Sequence, residues 1–161
     1  MSSYNFQNFL LDTNAVIALT RPDSLEFKQI APRIASLHPD AKLSISILSI
    51  YEMEYGAAHA SMPEIARKAK GAIQRLDAEN KITILPLTML GAKIFGDIKE
   101  QYRSVKVIGK KALQKHNIDL IIAATAIEHK ATLVSHDNKD KIFEILSENR
   151  GDFFWEDWMR D

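Results

Sequence analysis

Residues 9–19 read FLLDTNAVIAL and join a short apolar run to a helical pattern. The run at 9–11 is wholly apolar, as is typical of a strand buried on both faces of a parallel sheet. The helical pattern begins at Asn14, so Asp12 is expected at the carboxyl end of a strand. In open α/β sheets this edge carries the ligand-binding crevice, and helix N-termini point toward it.

The rest of the chain repeats this alternation of short apolar runs and longer helical patterns, which predicts a parallel sheet covered by helices. We therefore predict an α/β/α sandwich with a central parallel sheet of four to five strands. A length of 161 residues is that of one ordinary domain, so a single domain over 1–161 is expected. The predicted strands are 9–11, 43–47, 82–85 and 132–135, and the predicted helices are 14–19, 24–36, 48–60, 63–79, 88–103, 120–129 and 139–146.

Composition excludes several classes of protein. The 46% of hydrophobic residues and 26% of charged residues are typical of globular domains rather than disordered chains. The 21 basic and 21 acidic residues cancel, so the overall charge gives no sign of a protein that coats nucleic acid. Without cysteine there is no disulfide scaffold, cysteine nucleophile or thiolate zinc site. The N-terminus lacks the charged start of a secretory signal, and no apolar stretch is long enough to span a bilayer. We expect a cytoplasmic protein with no membrane association.

Three aspartates fall independently at the same edge of the predicted sheet. Asp137 follows the strand at 132–135 across His136, and Asp119 opens the apolar helix predicted from residue 120. Taken singly, Asp12 and Asp119 are explained as helix caps and Asp137 as a turn residue. Their coincidence at one edge of the sheet indicates a shared acidic site.

Glu52 and Glu54 lie on a predicted helix that is otherwise apolar and small. Glutamate is rarely buried unless it is paired, so at least one of the two needs a partner. Residues two apart on a helix point to different sides, so at most one glutamate can join a common site. The other should be solvated, and periodicity alone does not choose between them.

Other catalytic patterns are missing from the chain. The five histidines do not form a catalytic set, and no serine sits in a Gly-x-Ser-x-Gly elbow. Gly109-Lys110 lacks the earlier glycine of a phosphate-binding loop, which argues against an NTPase. The C-terminal aromatic residues are interpreted as core packing, with an interface left open as the alternative: Phe153, Phe154, Trp155 and Trp158.

Four segments in order resemble the PIN-domain nucleases and, among these, the VapC ribonuclease toxins of toxin-antitoxin pairs. The resemblance extends over almost the whole chain, since the C-terminal stretch 155–158 is also similar to the family's usual ending. The four segments are Leu10-Leu11-Asp12-Thr13-Asn14, Ser46-x-x-Ser49-x-x-Glu52-x-x-x-Gly56, Asp119-x-x-Ile122-Ala123-Ala124-x-Ala126 and Leu133-Val134-Ser135-x-Asp137.

The resemblance implies a set of site residues. It selects Glu52 over Glu54, because the family's glutamate stands four residues before a glycine, as Glu52 does before Gly56. The fourth segment departs from the family pattern, since Ser135 replaces the usual threonine and the following aromatic residue, Phe143, comes late. Asp140 is therefore an alternative fourth acid. The implied catalytic quartet is Asp12, Glu52, Asp119 and Asp137, supported by Thr13, Asn14 and Ser135.

Carboxylate oxygens suit hard cations such as Mg²⁺ or Mn²⁺, and the lack of histidine or cysteine partners argues against zinc. Asp12, Asp119 and Asp137 are the expected metal ligands. Converging like charges should raise at least one carboxyl pKa when no cation is bound. The resemblance implies a metal-dependent endoribonuclease that leaves a 5′-phosphate and a 3′-hydroxyl. Its expected partners are an RNA substrate, an antitoxin protein and a second copy of the chain.

A basic run precedes Asp119, because residues 103–118 contain five cations and no acid. Lys110, Lys111 and Lys115 are the candidates for contacting RNA phosphates, and a solvated helix face is the alternative interpretation. A second basic group at Arg67, Lys68 and Lys70 is interpreted as an ordinary exposed helix face.

Two other functions compete with the nuclease. A non-catalytic PIN-like RNA-binding or assembly module is disfavoured because all four acids are present. An aspartyl-phosphate phosphotransferase also uses an aspartate at a strand end. It is disfavoured because the residue two positions after Asp12 is Asn14 rather than a second aspartate.

Overall fold

The computed structural model describes residues 7–59 and 63–160. Ala60, the predicted last residue of the third helix, lies outside the described residues. The described part of the chain forms five strands, which include a short C-terminal one that the sequence did not predict. These strands are β1 (Asn8–Leu11), β2 (Lys42–Ser46), β3 (Thr83–Leu85), β4 (Thr132–Val134) and β5 (Phe154–Glu156).

Helices connect the strands, and most coincide with the predicted helical patterns. The short helix in the basic run was not predicted, and a 3₁₀ turn (Lys139–Lys141) precedes the last helix. The helices are α1 (Thr13–Leu19), α2 (Leu25–Ala35), α3 (Ile47–Ala58), α4 (Pro63–Ala78), α5 (Met89–Lys106), α6 (Lys110–Gln114), α7 (Asn117–Glu128) and α8 (Ile142–Asn149).

The strands form one parallel sheet in the order β3-β2-β1-β4-β5, which confirms the predicted α/β/α architecture. Strand β1 lies at the centre, where Leu10 pairs with Ser44 of β2 and with Leu133 of β4. The chain proceeds from β1 to β3 in one direction and then returns to the other side of β1. The strand order therefore reverses between β1 and β4, the position at which open α/β sheets bind ligands.

Two hydrophobic cores lie on opposite faces of this sheet, because successive side chains of a strand point to opposite faces. Leu10 and Leu133 pack with residues of α5, α7 and α8, including Ile98. Leu11 and Val134 pack on the other face with residues of α1 to α4. The sheet is thus covered on both faces, which leaves its carboxyl edge between β1 and β4 as the open end.

The C-terminal aromatic residues divide between core and surface. Phe153 and Trp158 are buried, and the Trp158 ring lies 4.9 Å from the Phe9 ring between centroids. Phe154, by contrast, is 57% exposed, so its predicted core role is wrong. It lies on β5 at the edge of the sheet, where alternate side chains point outward.

No helix in the described ranges combines the length and the apolar character that crossing a membrane requires.

Candidate acidic site at the switch point of the sheet

Asp12 occupies the carboxyl end of β1 and is 5% exposed. Its carboxylate accepts hydrogen bonds from the Thr13 backbone N–H at 2.8 Å and from the Ser135 hydroxyl at 2.8 Å. Burial raises the pKa of Asp12 from 3.8 to about 6, although these two hydrogen bonds oppose the rise. The nearby charges of Glu52 and Asp137 raise it further. Asp12 is therefore an acid whose ionised form is not neutralised by its surroundings.

Asp119 lies in the first turn of α7, which begins two residues before it. The prediction that Asp119 caps a helix starting at Leu120 is therefore wrong, and His116 occupies the N-cap position. Burial raises the pKa of Asp119 from 3.8 to about 7, and the charges of Asp12 and Asp137 add to the effect. Since α7 and β1 are far apart in sequence, folding has brought these acids into electrostatic contact.

Glu52 faces the same site from α3. The Thr13 hydroxyl lies 2.7 Å from Oε1 of Glu52 and 2.9 Å from Oγ of Ser49. A carboxylate only accepts hydrogen bonds, so the single Thr13 proton goes to Glu52. Glu54 instead forms an ion pair with Lys70 at 3.1 Å. The two glutamates thus point to different sides of α3, and Glu52 is the one that interacts with Asp12.

Ser135 and Asn14 join the ends of β4 and β1. The Ser135 hydroxyl accepts hydrogen bonds from the Asp137 backbone N–H at 3.1 Å and from Nδ2 of Asn14 at 3.3 Å. The backbone N–H of His136 donates to Oδ1 of Asn14 at 3.1 Å. Ser135, which donates to Asp12, therefore fixes the turn that carries Asp137 against the start of α1.

The two candidates for the fourth acid occupy different environments. Asp137 contributes to the raised pKa of both Asp12 and Asp119, and it pairs with Lys139 at 3.7 Å. Oδ2 of Asp140 lies 2.8 Å from Nε2 of His116, away from the other acids. The structure therefore brings Asp137, and not Asp140, together with Asp12, Glu52 and Asp119.

The donor set fits a hard divalent cation. It consists of carboxylate and hydroxyl oxygens. Burial is the main cause of the raised pKa values of Asp12 and Asp119, and the charges of neighbouring carboxylates raise both further. Within the described ranges, no three carboxylate or histidine side chains converge into a ready-made metal site. Mg²⁺ keeps several waters and usually takes one or two carboxylates, so three converging ligands are not required for it to bind.

The prediction that the lysines of the basic run contact RNA phosphates stays a prediction. Lys110, Lys111 and Lys115 are exposed on and after α6, and none makes an ion pair with an acid of the site in the part of the chain described. The cation that acts on Asp137 and Asp119 is Lys139, which the sequence analysis missed. Its position two residues after Asp137 was the available signal.

Comparisons with known proteins agree with this architecture. The PIN domain family model matches residues 9–146. No curated protein sequence matches the chain. Among solved structures, VapBC-1 from nontypeable Haemophilus influenzae is 24% identical with a TM-score of 0.67, and the match covers 95% of this chain and 99% of that one. VapBC2 from Rickettsia felis, bound to a promoter DNA fragment, is 19% identical with a TM-score of 0.63 over 94% of this chain and 98% of that one. FitAcB from Neisseria gonorrhoeae is 23% identical with a TM-score of 0.62 over 91% and 96%.

These structures share the fold described above. The family model covers most of the chain and includes all four acids of the site. The chain therefore belongs to the PIN domain family, as its four sequence segments predicted.

Proposed function

We propose that the chain is a Mg²⁺- or Mn²⁺-dependent endoribonuclease of the VapC type, which hydrolyses phosphodiester bonds of RNA. The observation that supports this most strongly is a buried Asp12 whose pKa is raised to about 6 beside other carboxylates. Buried acids with perturbed pKa values are concentrated at functional sites. An aspartyl-phosphate phosphotransferase is disfavoured, because Asn14 stands where such enzymes carry a second aspartate two positions after the first.

Each acidic residue has a proposed role. Asp12, Asp119 and Asp137 hold the cation, and Glu52 completes the acidic group from α3. A bound hard cation would supply positive charge to the phosphodiester and promote ionisation of the attacking water. Ser135 and the Thr13 N–H orient Asp12, and the Thr13 hydroxyl orients Glu52. Lys139 lies beside Asp137, and we assign it a contact with the substrate phosphate.

We also propose that an antitoxin protein inhibits the enzyme. The similar solved structures from Haemophilus influenzae and Rickettsia felis are described as VapBC structures. A basic side chain aimed at the acidic group would neutralise its uncompensated charge and block the cation. A homodimer is proposed as well. Large hydrophobic side chains on α3 and around the start of α5 are exposed, and a second copy of the chain would bury them: Tyr51, Tyr55, Leu87, Met89 and Leu90.

A cleavage assay with matched glutamate variants tests the enzyme. End-labelled RNAs are incubated with the protein and Mg²⁺, Mn²⁺ or EDTA. We expect cleavage with either cation and none with EDTA. Glu52→Gln should lower kcat/KM roughly 10- to 100-fold, the range for groups that support a metal site. Glu54→Gln is the control, because Glu54 lies on the same helix but pairs with Lys70.

Several outcomes would contradict the proposal. Cleavage in EDTA would exclude the cation, and an equal loss in both variants would exclude the role of Glu52. RNA binding without cleavage of any RNA would favour the non-catalytic PIN-like module.

A further inference from the structure

A groove begins at the acidic site and follows α1 toward α4. Three adjoining hollows form it, and neighbouring hollows share lining residues. The first hollow is lined by Asn14 and His136 of the site and reaches Arg21. The second shares Arg21 and extends to Lys68, and the third shares Lys68 and extends to Arg75. We call these three adjoining hollows together the α1–α4 groove. The second and third hollows have volumes of about 380 and 390 Å³, within the range of ligand sites.

Positive charge increases along the α1–α4 groove with distance from the acidic site, because Glu26 and Asp23 offset Arg21 in the first and second hollows. The third hollow is lined by Arg67, Lys68 and Arg75 and by no acid. Arg67 pairs with Glu64, but Arg21, Lys68 and Arg75 form no ion pair among residues 7–59 and 63–160. These three side chains are exposed, so their charges are available to a ligand.

The surface of α4 is shaped for an extended ligand. Lys68, Ala72 and Arg75 recur at helical spacing, so they lie on one face of α4. Gly71 lies beside them, and a Cβ at Gly71 would meet nothing within 4 Å. Small residues thus form an open floor between basic side chains. This pattern fits a phosphate chain lying across the helix better than a bulky side chain inserted into a pocket.

The α1–α4 groove lies within reach of a substrate held at the acidic site. Helix α1 has 7 residues and begins at the site, so its far end is about 10 Å away at 1.5 Å per residue. A few nucleotides of single-stranded RNA span that distance. An RNA strand cleaved at the acidic site must continue past Asn14 and His136, so a groove that begins at these residues fits RNA. The alternative occupant, an acidic protein segment, does not need to start there.

We infer that the α1–α4 groove binds the backbone phosphates of single-stranded RNA next to the scissile bond, with Arg21, Lys68 and Arg75 as the contacts. This inference rests on the proposed function, because it takes RNA as the substrate. It also assigns a binding role to part of the basic group on α4, which the sequence alone presented as an ordinary exposed face.

RNA binding by three variants tests the α1–α4 groove. Asp12→Asn prevents cleavage and is the parent, to which either K68Q and R75Q or K93Q and K130Q are added. Binding of a fluorescent oligouridylate is followed by anisotropy over a series of salt concentrations. The K68Q/R75Q protein should bind roughly tenfold more weakly. The slope of log K against log salt should fall by about 1.4, or about 0.7 for each lost phosphate contact. The K93Q/K130Q protein removes the same charge from exposed lysines outside the groove and should match the parent.

Further measurements separate the possible failures. If K68Q/R75Q binds oligouridylate as tightly as the parent and the wild-type protein cleaves RNA, the inference about the groove is wrong and the proposed function stands. Absence of RNA binding by the parent would overturn both the groove and the proposed function. Loss of affinity for an oligoglutamate peptide only, with RNA binding retained, would overturn the inference in favour of an acidic protein partner.

Discussion

The state of Asp12 is decided by a competition between burial and hydrogen bonding. The Ser135 hydroxyl and the Thr13 N–H favour the ionised carboxylate, yet burial outweighs them and raises the pKa to about 6. At neutral pH the folded protein therefore holds a buried charge that the unfolded chain would expose to water. The buried charge therefore lowers the free energy of unfolding, as is common at functional sites.

Asp12→Asn should increase stability while abolishing cleavage. Asparagine keeps an oxygen that can accept from Ser135, but it removes the buried charge. A pKa rise from 3.8 to about 6 corresponds to roughly 3 kcal/mol, so we expect the free energy of unfolding at pH 8 to increase by about 1–3 kcal/mol. Urea unfolding at pH 8 and pH 4 measures the effect.

The sign of the pH dependence follows from the raised pKa. Between about pH 4 and pH 6 the folded protein binds more protons at Asp12 than the unfolded chain does, so stability falls as pH rises. The advantage of Asp12→Asn should therefore be present at pH 8 and nearly absent at pH 4. Asp77→Asn, at an exposed position of α4, is the control and should change neither stability nor cleavage. A stability at pH 8 equal to or below that of the wild type would contradict the prediction.

Single residues also show what the sequence could not provide. Glu52 and Glu54 were indistinguishable by periodicity because α3 is apolar almost all round, and only the family's glycine spacing favoured Glu52. Their contacts with Thr13 and Lys70 depend on the packing of α3 against α1 and α4. Lys139 escaped notice because a lone lysine in a turn has no repeating pattern to mark it.

Among the elements, the 3₁₀ turn and α7 are joined by a contact between a buried histidine and an exposed aspartate. His116 is 6% exposed at the start of α7, and its Nε2 lies 2.8 Å from Asp140 of the turn. The Tyr102 hydroxyl donates to the backbone carbonyl of Asp140 at 3.0 Å. Asp140 and Lys141 both have positive φ angles, of 51° and 59°, a conformation that non-glycine residues seldom adopt. The contact therefore holds a strained turn against the helix that carries Asp119.

Asp140→Ala should loosen both elements. Its removal leaves Nε2 of the buried His116 without this partner. Because the Asp140 side chain is 61% exposed, water can replace part of the contact, and we expect a loss of about 0.5–1.5 kcal/mol of unfolding free energy. Cleavage should also fall, because the same turn follows Asp137 and the same helix carries Asp119. Asp140→Asn keeps a side chain that can hydrogen-bond and should lose less. Chemical denaturation of the two variants makes the comparison, and wild-type stability in Asp140→Ala would show that the contact is unimportant.

The sequence predicted the elements that carry an apolar pattern. Four strands and most helices were found from these patterns, whereas β5 and α6 were missed because they include the charged residues Glu156, Lys110 and Lys111. Helix α7 begins before the apolar pattern does, since Asn117 and Ile118 form its first turn. This difference moved Asp119 from a cap into the helix without moving it away from the site.

At the scale of the whole molecule, strand order is what assembles the site. The apolar runs predicted parallel strands but not their neighbours. The pairing of β1 with β4 is a long-range contact that no local pattern encodes. That pairing places the reversal of strand order between Asp12 and Asp137. The sequence could therefore name the acids and their common edge of the sheet, whereas their mutual electrostatic effects required the folded structure.

Cation binding should oppose the pH dependence of the whole protein's stability. Burial raises the pKa values of Asp12 and Asp119 to about 6 and about 7, so both are mostly protonated at pH 5 and ionised at pH 8. Without a cation, the melting temperature should be lower at pH 8 than at pH 5. A cation binds the ionised carboxylates and must displace protons at pH 5. Mn²⁺ at roughly 100 times its Kd should add about 2.7 kcal/mol at pH 8 and much less at pH 5.

Thermal melting with Mn²⁺ or EDTA at both pH values tests this directly, with Asp12→Asn as the control. The variant lacks one of the proposed ligands, so its melting temperature should respond weakly to Mn²⁺ at either pH. An equal Mn²⁺ effect at pH 5 and pH 8 would mean that the cation binds away from the raised-pKa acids. An undiminished effect in Asp12→Asn would exclude Asp12 as a ligand. A cation effect confined to the wild-type protein at pH 8 would connect the protonation of these acids to the stability of the complete fold.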